Sequence, residues 1–551
     1  MNRRLVALLV FLLAAWAQPP AAQVRVPLPA VRVESGAVAG KVLASGVKAW
    51  LGIPYAQHPV RDLRWKAPVP ITWEGVYNAD RKMPACIQIL RPHDINHYFG
   101  EEATSEDCLY LNIWAPATAT PASKLPVIVF LYGGGNTVGS SGMALYGGEQ
   151  VARRGAVFVN FNYRLGILGF MAHPELTRES RRQASGNWAF LDQLAALRWI
   201  QRNIALFGGD PTQVVVAGQS AGAGAVSLLQ ASPLAKGLFR GVVAMSGGTW
   251  GNGGTGGVPL AEAERVGLQV QTATRSASLT AMRNVPADRL LALQAENQLG
   301  ATGGGPIRVG PSIDGYFLPE TPAALFAARR ANDVPVVAGF ANDESVNGLR
   351  NTRTVAEYTA LARQAYGAQA DEFLRLYPVR TDADVAEAAK TAAREAGVLK
   401  TARNWAIAQA AVHASPTYLY NLVHLHPFNP QVLAADRVDQ VGAYHTSDVP
   451  YWFGTLDAFN LFRPTRSWLA YDRKLSEQMT ASLIAFAHTG SPRTADLSWP
   501  AWSPGNEHLL ELGEHANTAR RLDTRRLDFA ARTAVQPIPV PPRGIPGQPR
   551  D

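Results

Sequence analysis

Apolar, β-branched runs along this chain alternate with segments whose apolar residues recur at helical spacing. Over residues 187–204 the apolar positions lie on one face of a helix. Strands that alternate with helices favour a mainly parallel sheet. We therefore predict an α/β fold with a mostly parallel central sheet, helices on both faces, and a helical cap beside the sheet at about residues 350–415. The runs predicted as buried strands are Leu125 to Tyr132, Val157 to Tyr163, Gln213 to Ala217 and Val334 to Gly339.

Composition excludes two broad classes of protein. The 551 residues are 47% hydrophobic and only 17% charged, which provides ample core and argues against a mostly disordered chain. The net charge is +9, but no long Lys/Arg block with interleaved aromatic residues is present. We therefore expect no nucleic-acid partner. The sequence does not indicate an oligomeric state.

The N-terminus has the pattern of an export signal. Arg3 and Arg4 precede an apolar run from Leu5 to Trp16, and Ala15 and Ala17 provide the small residues of a cleavage site. We predict a signal peptide over residues 1–17, an exported protein (periplasmic or extracellular), and no stable membrane anchor after cleavage, with a short anchor as the alternative. Residues 18–534 are predicted to form a single catalytic domain. The Pro-rich residues 535–551 are predicted to be disordered.

The chain contains two cysteines, Cys86 and Cys108. In an exported chain an isolated pair indicates one disulfide, with two buried free thiols as the alternative. Closing this loop contributes about 3 kcal/mol to stability on the chain-entropy estimate. The cysteines and histidines show no recognised metal-ligand spacing, so we expect no metal site.

A nucleophilic serine is indicated by residues 218–222, which read Gly-Gln-Ser-Ala-Gly. A strand-like run at 214–216 precedes this Gly-x-Ser-x-Gly pattern, and the helix-compatible residues 221–230 follow it. A serine raised on a sharp turn from strand to helix needs small residues two positions to either side. Ser220 is therefore the predicted nucleophile.

These and other segments resemble the type-B carboxylesterase and cholinesterase family over about residues 33–527. The resemblance implies the α/β-hydrolase fold, hydrolysis of a small-molecule ester, and no cofactor. The segments that carry it are Phe207 through Gly222, Glu106 through Ile113, Asn162 through Gly166, and Gly186-Asn187 with Asp192-Gln193.

Three consecutive glycines, residues 133–135, follow a predicted strand directly. Without Cβ atoms, their backbone N–H groups can approach a substrate closely and stabilise the anionic oxygen of a tetrahedral intermediate. By resemblance to the family, the donors of this oxyanion hole are the N–H groups of Gly134, Gly135 and Ala221. The next residue is usually aromatic in the family and is Asn136 here, which changes the acyl side of the pocket.

The serine needs a base within hydrogen-bond reach, and the chain order in α/β-hydrolases is Ser, acid, His. The family's acid turn matches residues 336–345, which makes Glu344 the acid and leaves Asp343 as the alternative. The family's Gly-x-x-His segment matches residues 442–445, so His445 is the predicted base. The nearby His424 and His426 lack that context.

The residue before the nucleophile, Gln219, is neutral where cholinesterases typically carry glutamate. The expected choline-site tryptophan is also missing, and Tyr98 and Phe99 are weaker substitutes. Burying a quaternary ammonium there is unfavourable, so we predict neutral or anionic ester substrates. Two alternatives to an esterase are a catalytically inactive adhesion or binding relative and an interfacial lipase. Further candidate pocket residues are Ser246 and Trp250.

Overall fold

The computed structural model describes residues 28–89, 103–252, 254, 256–299, 305, 307–345, 347–432, 442–514 and 517–533. Within them lies a mixed sheet of eleven strands. In chain order the strands are β1 Lys41–Val42, β2 Lys48–Pro54, β3 Tyr110–Ala115, β4 Leu125–Leu131, β5 Val157–Phe161, β6 Gly209–Gln219, β7 Gly241–Met245, β8 Val336–Ala341, β9 Thr417–Leu422, β10 His508–Leu512 and β11 Thr518–Arg521.

The spatial order of the strands is β11-β10-β9-β8-β7-β6-β4-β5-β3-β2-β1. The seven strands from β10 to β5 pair in parallel, and antiparallel pairing is confined to the two edges. The prediction of a mostly parallel sheet is confirmed. The central strands are continuous apolar runs because both of their faces are buried, as in β4, where residues 127–131 have no exposed surface.

The four predicted strands correspond to β4, β5, β6 and β8. The largest difference is in β6, which begins at Gly209 rather than Gln213. Its pairing with β4 shifts register between Gly209 and Val214. Because polar residues occupy this irregular stretch, the apolar run alone did not reveal it.

Helices surround the sheet, and α5 joins β6 to β7. The described α-helices are α1 Glu149–Arg153, α2 Gly166–Phe170, α3 Pro174–Glu179, α4 Trp188–Asn203, α5 Ala221–Ala231, α6 Leu260–Thr274, α7 Leu279–Arg283, α8 Ala287–Gln294, α9 Pro322–Ala327, α10 Val355–Tyr366, α11 Ala370–Leu376, α12 Asp382–Ala396, α13 Val398–Val412, α14 Val449–Phe453, α15 Ala470–Thr489 and α16 Thr524–Arg532.

The helical prediction for residues 350–415 is confirmed by α10 to α13. Part of this region has an apolar core of its own, in which Tyr358, Phe373 and Phe529 are buried. The last of its helices, α13, packs against β8 and β9 and so joins the cap to the sheet.

Three smaller sheets complete the described strands. Their strands are Val31–Val33, Gly36–Ala39 and Val76–Asn78 in the first, Ala85–Cys86 and Thr104–Ser105 in the second, and Val258–Pro259 and Ser312–Ile313 in the third. Among the described residues, no helix combines the length and apolar character needed to cross a membrane. The predicted signal peptide and the Pro-rich tail lie outside the described residues and stay predictions.

Candidate active site

Ser220 stands on the sharp turn that the sequence predicts between β6 and α5. Its backbone has φ 57° and ψ −120°, a strained conformation for a residue with a side chain. Its N–H donates a hydrogen bond to the carbonyl oxygen of Met245, 2.8 Å away, at the end of β7. A Cβ on Gly218 would overlap the backbone of Gly222, and a Cβ on Gly222 would overlap the carbonyl oxygen of Leu131. These contacts explain why the turn requires glycine at both positions.

The glycine loop follows β4 and passes directly against this turn. A Cβ on Gly133 would lie 2.8 Å from Cβ of Ser220. Gly134 has φ 107°, and a Cβ there would overlap the carbonyl oxygen of Val138. Gly135 is exposed, with φ 61°, and a Cβ there would meet only Oγ1 of Thr137, at 3.9 Å. The loop therefore reaches Ser220, the predicted nucleophile, with bare backbone.

The three predicted oxyanion donors are positioned to be available to a substrate. In the part of the chain that the structure describes, the N–H groups of Gly134 and Gly135 donate to no other group. Ala221 is the first residue of α5, where backbone N–H groups lack partners within the helix. A negative charge is favourable at such a helix N-terminus.

Gln88 holds the far side of the glycine loop and was not singled out by the sequence analysis. Its side-chain oxygen accepts from the N–H of Gly139 at 2.7 Å, and its amide nitrogen donates to the Gly139 carbonyl at 2.8 Å. The same amide donates to the carbonyl of Cys86 at 2.9 Å. Cys86 is joined to Cys108, as predicted. The disulfide thus anchors the segment that clamps the glycine loop.

Glu344 and His445 meet as an acid–base pair. Nδ1 of His445 lies 2.5 Å from Oε2 of Glu344. Only 2% of the Glu344 side chain is exposed, whereas 41% of the His445 side chain is exposed. The predicted acid is therefore shielded from water, while the predicted base remains open to a substrate.

The alternative acid, Asp343, has a different partner. Its Oδ2 accepts from the N–H of Ala443 at 2.9 Å, and its own N–H donates to the Ala443 carbonyl at 2.9 Å. Gly442 has φ 60°, and a Cβ there would overlap the Asp343 carboxylate. Asp343 therefore holds the backbone of the loop that carries His445, while Glu344 holds the ring.

Two carboxylates affect the charge of His445. Burial by itself would lower the pKa of His445, but the hydrogen bond and charge of Glu344, with the charge of Asp448, raise it above its ordinary value. Asp448 is fully buried at the start of α14 and accepts from the Tyr420 hydroxyl at 2.6 Å. Burial raises the pKa of Asp448 to about 6. Asp448 was not among the residues predicted from the sequence, although its place just before a buried aromatic helix was a usable signal.

Gln219 is 1% exposed, and its Nε2 lies 3.2 Å from Nε2 of His445. The imidazole thus has Glu344 at one nitrogen and Gln219 at the other. Since Ser220 directly follows Gln219, the structure brings the predicted nucleophile, base and acid to one place at the carboxyl ends of β6 and β8.

Comparison with known proteins fits this geometry. A family model described as "Carboxylesterase family" matches residues 27–530. The chain belongs to this carboxylesterase family. It is 36% identical over 520 residues to the fumonisin B1 esterase of Sphingopyxis macrogoltabida, which covers 93% of this chain and 91% of that enzyme. It is 32% identical over 510 residues to the para-nitrobenzyl esterase of Bacillus subtilis (strain 168), covering 88% and 94% respectively.

Solved structures give the same result for the fold. A PNB esterase structure superposes with a TM-score of 0.73 at 28% identity, covering 91% of this chain and 99% of that one. A thermophilic PNB esterase also gives 0.73, at 29% identity, with the same two coverages. This carboxylesterase therefore has the α/β-hydrolase fold predicted from its sequence, and ester hydrolysis is its class of reaction.

The candidate pocket residues of the carboxylesterase differ in their surroundings. Asn136 has φ 61°, and its carbonyl accepts from the N–H of Gly166 at 2.7 Å, so it fixes the end of the glycine loop. Ser246 is buried at the end of β7 and donates its N–H to Gly339 at 2.7 Å. Trp250 packs edge-on against Phe326 with ring centroids 4.8 Å apart, and packing accounts for its burial. Tyr98 and Phe99 lie outside the described residues.

The two alternative histidines are bound elsewhere. Nε2 of His424 lies 2.7 Å from Oδ1 of Asp472. His426 is fully buried, with Nε2 2.8 Å from the Ser447 carbonyl and Nδ1 2.9 Å from the Tyr444 hydroxyl. Burial and the neighbouring Arg466 hold the pKa of His426 well below its usual range. The ring of His426 therefore packs beside the His445 loop, whereas that of His424 packs against Tyr451 and Tyr471.

Proposed function

We propose that this carboxylesterase is a serine hydrolase that works through an acyl-enzyme, with Ser220 as nucleophile, His445 as base and Glu344 as acid. The observation that carries the proposal is the contact between Nδ1 of His445 and the buried Glu344 carboxylate, beside the strained Ser220 turn. A base held this way carries its hydrogen on Nδ1, so its other nitrogen has the lone pair that takes a proton.

The steps follow from the positions of these groups. Nε2 of His445 takes the Ser220 hydroxyl proton while Oγ attacks the ester carbonyl carbon. The resulting oxyanion accepts hydrogen bonds from the N–H groups of Gly134, Gly135 and Ala221. His445 then returns the proton to the departing alcohol oxygen, which leaves the acyl group on Oγ. Water, deprotonated by the same ring, releases the carboxylic acid and restores the serine.

The proposed substrates are neutral or anionic esters rather than cationic ones. The side chain beside the base, Gln219, carries no charge, and the chain has a net charge of +9. A cationic leaving group would enter this site without a carboxylate at position 219 to compensate the cost of desolvation. Two relatives are named for fumonisin B1 and para-nitrobenzyl esters, which supports a small-molecule ester as the substrate of this chain.

We propose further that the enzyme is exported to the periplasm or the medium. The apolar N-terminal run provides the signal, and the disulfide between Cys86 and Cys108 suits an oxidising compartment. Residues 18–534 form the catalytic domain in this proposal. Its test is the N-terminal sequence of the protein recovered from the expected compartment, which should begin after about residue 17.

The proposed nucleophile is tested with Ser220→Ala and p-nitrophenyl acetate. We expect a loss of roughly 10⁴- to 10⁶-fold in kcat. A fluorophosphonate probe should label the wild-type protein at Ser220 and leave the variant unlabelled. Ser467→Ala is the matched control, because Ser467 is exposed in the loop before α15, and it should retain full activity. Undiminished turnover by Ser220→Ala would refute the assignment.

The proposed substrate class is tested with esters of one acyl group and isosteric alcohols that are neutral, anionic or cationic. We expect kcat/KM to be lowest for the cationic ester at every ionic strength, because the disfavoured cation is held next to position 219. A cationic ester that is hydrolysed fastest would exclude the proposed preference while leaving the nucleophile assignment intact.

A further inference from the structure

We propose that Gln219 is a positioning residue that keeps the second nitrogen of His445 unprotonated by donating a hydrogen bond to it. The inference rests on the proposed function, in which that nitrogen is the proton acceptor. It assigns Gln219 a task in the reaction beyond the shape and charge of the pocket.

The position of the histidine proton follows from the two neighbours of the ring. Nδ1 lies 2.5 Å from the Glu344 carboxylate, which can only accept, so Nδ1 carries the hydrogen. Nε2 of the neutral ring therefore carries no hydrogen and has a lone pair that can accept a hydrogen bond. The atom 3.2 Å from it is the amide nitrogen of Gln219, which can only donate. The opposite amide orientation would place an oxygen against that lone pair, so the hydrogen-bond pattern selects the donor.

A donor at this position opposes protonation of the ring. When Nε2 gains a proton, its N–H faces the N–H of Gln219, and the amide must rotate before its oxygen can accept. The ionisable groups that face the ring act in the opposite direction. Glu344 in the turn after β8 and Asp448 at the start of α14 both raise the pKa of His445. Gln219 at the end of β6 is thus the neighbour that favours the neutral ring.

The same hydrogen bond competes with the nucleophile. Within the described residues, the hydrogen bonds of the imidazole go to Glu344 and Gln219, and none joins it to Oγ of Ser220. Catalytic hydrogen bonds often form only when substrate is bound. We infer that Gln219 holds the resting ring and yields the lone pair to Ser220 once the ester occupies the site. The benefit is a base that stays unprotonated at pH values where a third carboxylate, at position 219, would leave it protonated.

The test compares Gln219→Glu and Gln219→Met, which keep the side-chain length and change only its hydrogen bonding and charge. kcat/KM for the neutral p-nitrophenyl acetate is measured against pH. The midpoint of its fall at low pH, the acid limb, gives the pKa of the base in the free enzyme. A carboxylate this close should move the midpoint of that limb up by about 1 pH unit or more. Loss of the donor in Gln219→Met should move it up by a few tenths of a unit. Gln269→Glu, at an exposed position on α6, adds the same charge elsewhere and should leave the midpoint unchanged.

The outcomes separate this inference from the proposed function. If Gln219→Met keeps the wild-type midpoint, the hydrogen bond from Gln219 does not control the base, whatever Gln219→Glu does and even if the plateau rate falls through a structural defect. A downward shift in Gln219→Glu overturns the inference as well. If Ser220→Ala stays active, the proposed function fails instead. Thermal unfolding of each variant shows whether the fold is retained. A shift in the midpoint of the acid limb is interpreted only for variants that are folded.

Discussion

Replacing Glu344 with glutamine isolates the task of the acid, because the side chain keeps its length and loses its charge. The carboxylate accepts at two points: Oε2 faces Nδ1 of His445 at 2.5 Å, and Oε1 faces the N–H of Ala341 at 3.3 Å. A glutamine has one oxygen for these two donors. If its oxygen faces Ala341, its NH₂ group meets the ring and forces the hydrogen onto Nε2.

That tautomer cannot take the proton of Ser220, and in either orientation the imidazolium formed during the reaction loses its counter-charge. In serine hydrolases the equivalent change from carboxylate to amide costs about 10⁴ in kcat. We expect a loss of about 10³ to 10⁴, which corresponds to about 4 to 5.5 kcal/mol in the activation free energy. Because Glu344 contributes to raising the pKa of His445, the acid limb of the remaining activity should move to lower pH.

The assay is steady-state hydrolysis of p-nitrophenyl acetate from pH 5 to 9, with thermal unfolding of each variant. Asp343→Asn is the matched control, because Asp343 holds the Ala443 backbone and an asparagine oxygen can still accept that hydrogen bond. We expect it to retain activity within about tenfold of the wild type, with its main effect on stability. A Glu344→Gln enzyme that keeps a tenth of the wild-type kcat with an unmoved acid limb would refute the reasoning, as would a greater loss in Asp343→Asn.

Two further predictions concern stability. The double variant Cys86→Ser, Cys108→Ser should lose about 3 kcal/mol in the free energy of unfolding, from a loop with a sequence separation of 22, and urea unfolding without loss would contradict this. Asp448→Asn should be stabilising at pH 8 and nearly neutral below pH 4. Burial raises the pKa of Asp448 from 3.8 to about 6. The protonated carboxyl group therefore stabilises the folded state below pH 3.8. This contribution of about 3 kcal/mol is lost as the pH rises through 6. If Asp448→Asn changes the free energy of unfolding by the same amount at pH 8 and below pH 4, this prediction is wrong.

Local patterns in the sequence were sufficient to predict the elements that carry the site. The turn at Ser220 is determined by its neighbours, because only glycine, which lacks a side chain, fits at positions 218 and 222 between β4, β6 and α5. The glycine loop at 133–135 was predictable for the same steric reason. The buried parallel strands were visible because both faces of each are apolar. The family resemblance added the proposed acid and base, which the pattern of residues alone does not provide.

Other features depended on contacts between distant parts of the chain. The sequence did not decide between Asp343 and Glu344 as the acid. Only the packing of β8 against the loop at 442–445 shows that the Glu344 carboxylate reaches the His445 ring, which lies 101 positions away in the sequence. Gln88 and Asp448 were missed because their partners are set by the order of strands and by the disulfide. Gln219 was noted for its lack of charge, and its contact with His445 spans 226 positions. Short-range sterics are encoded by adjacent residues, whereas the surroundings of His445, the proposed base, are formed by three groups that only the folded sheet brings together.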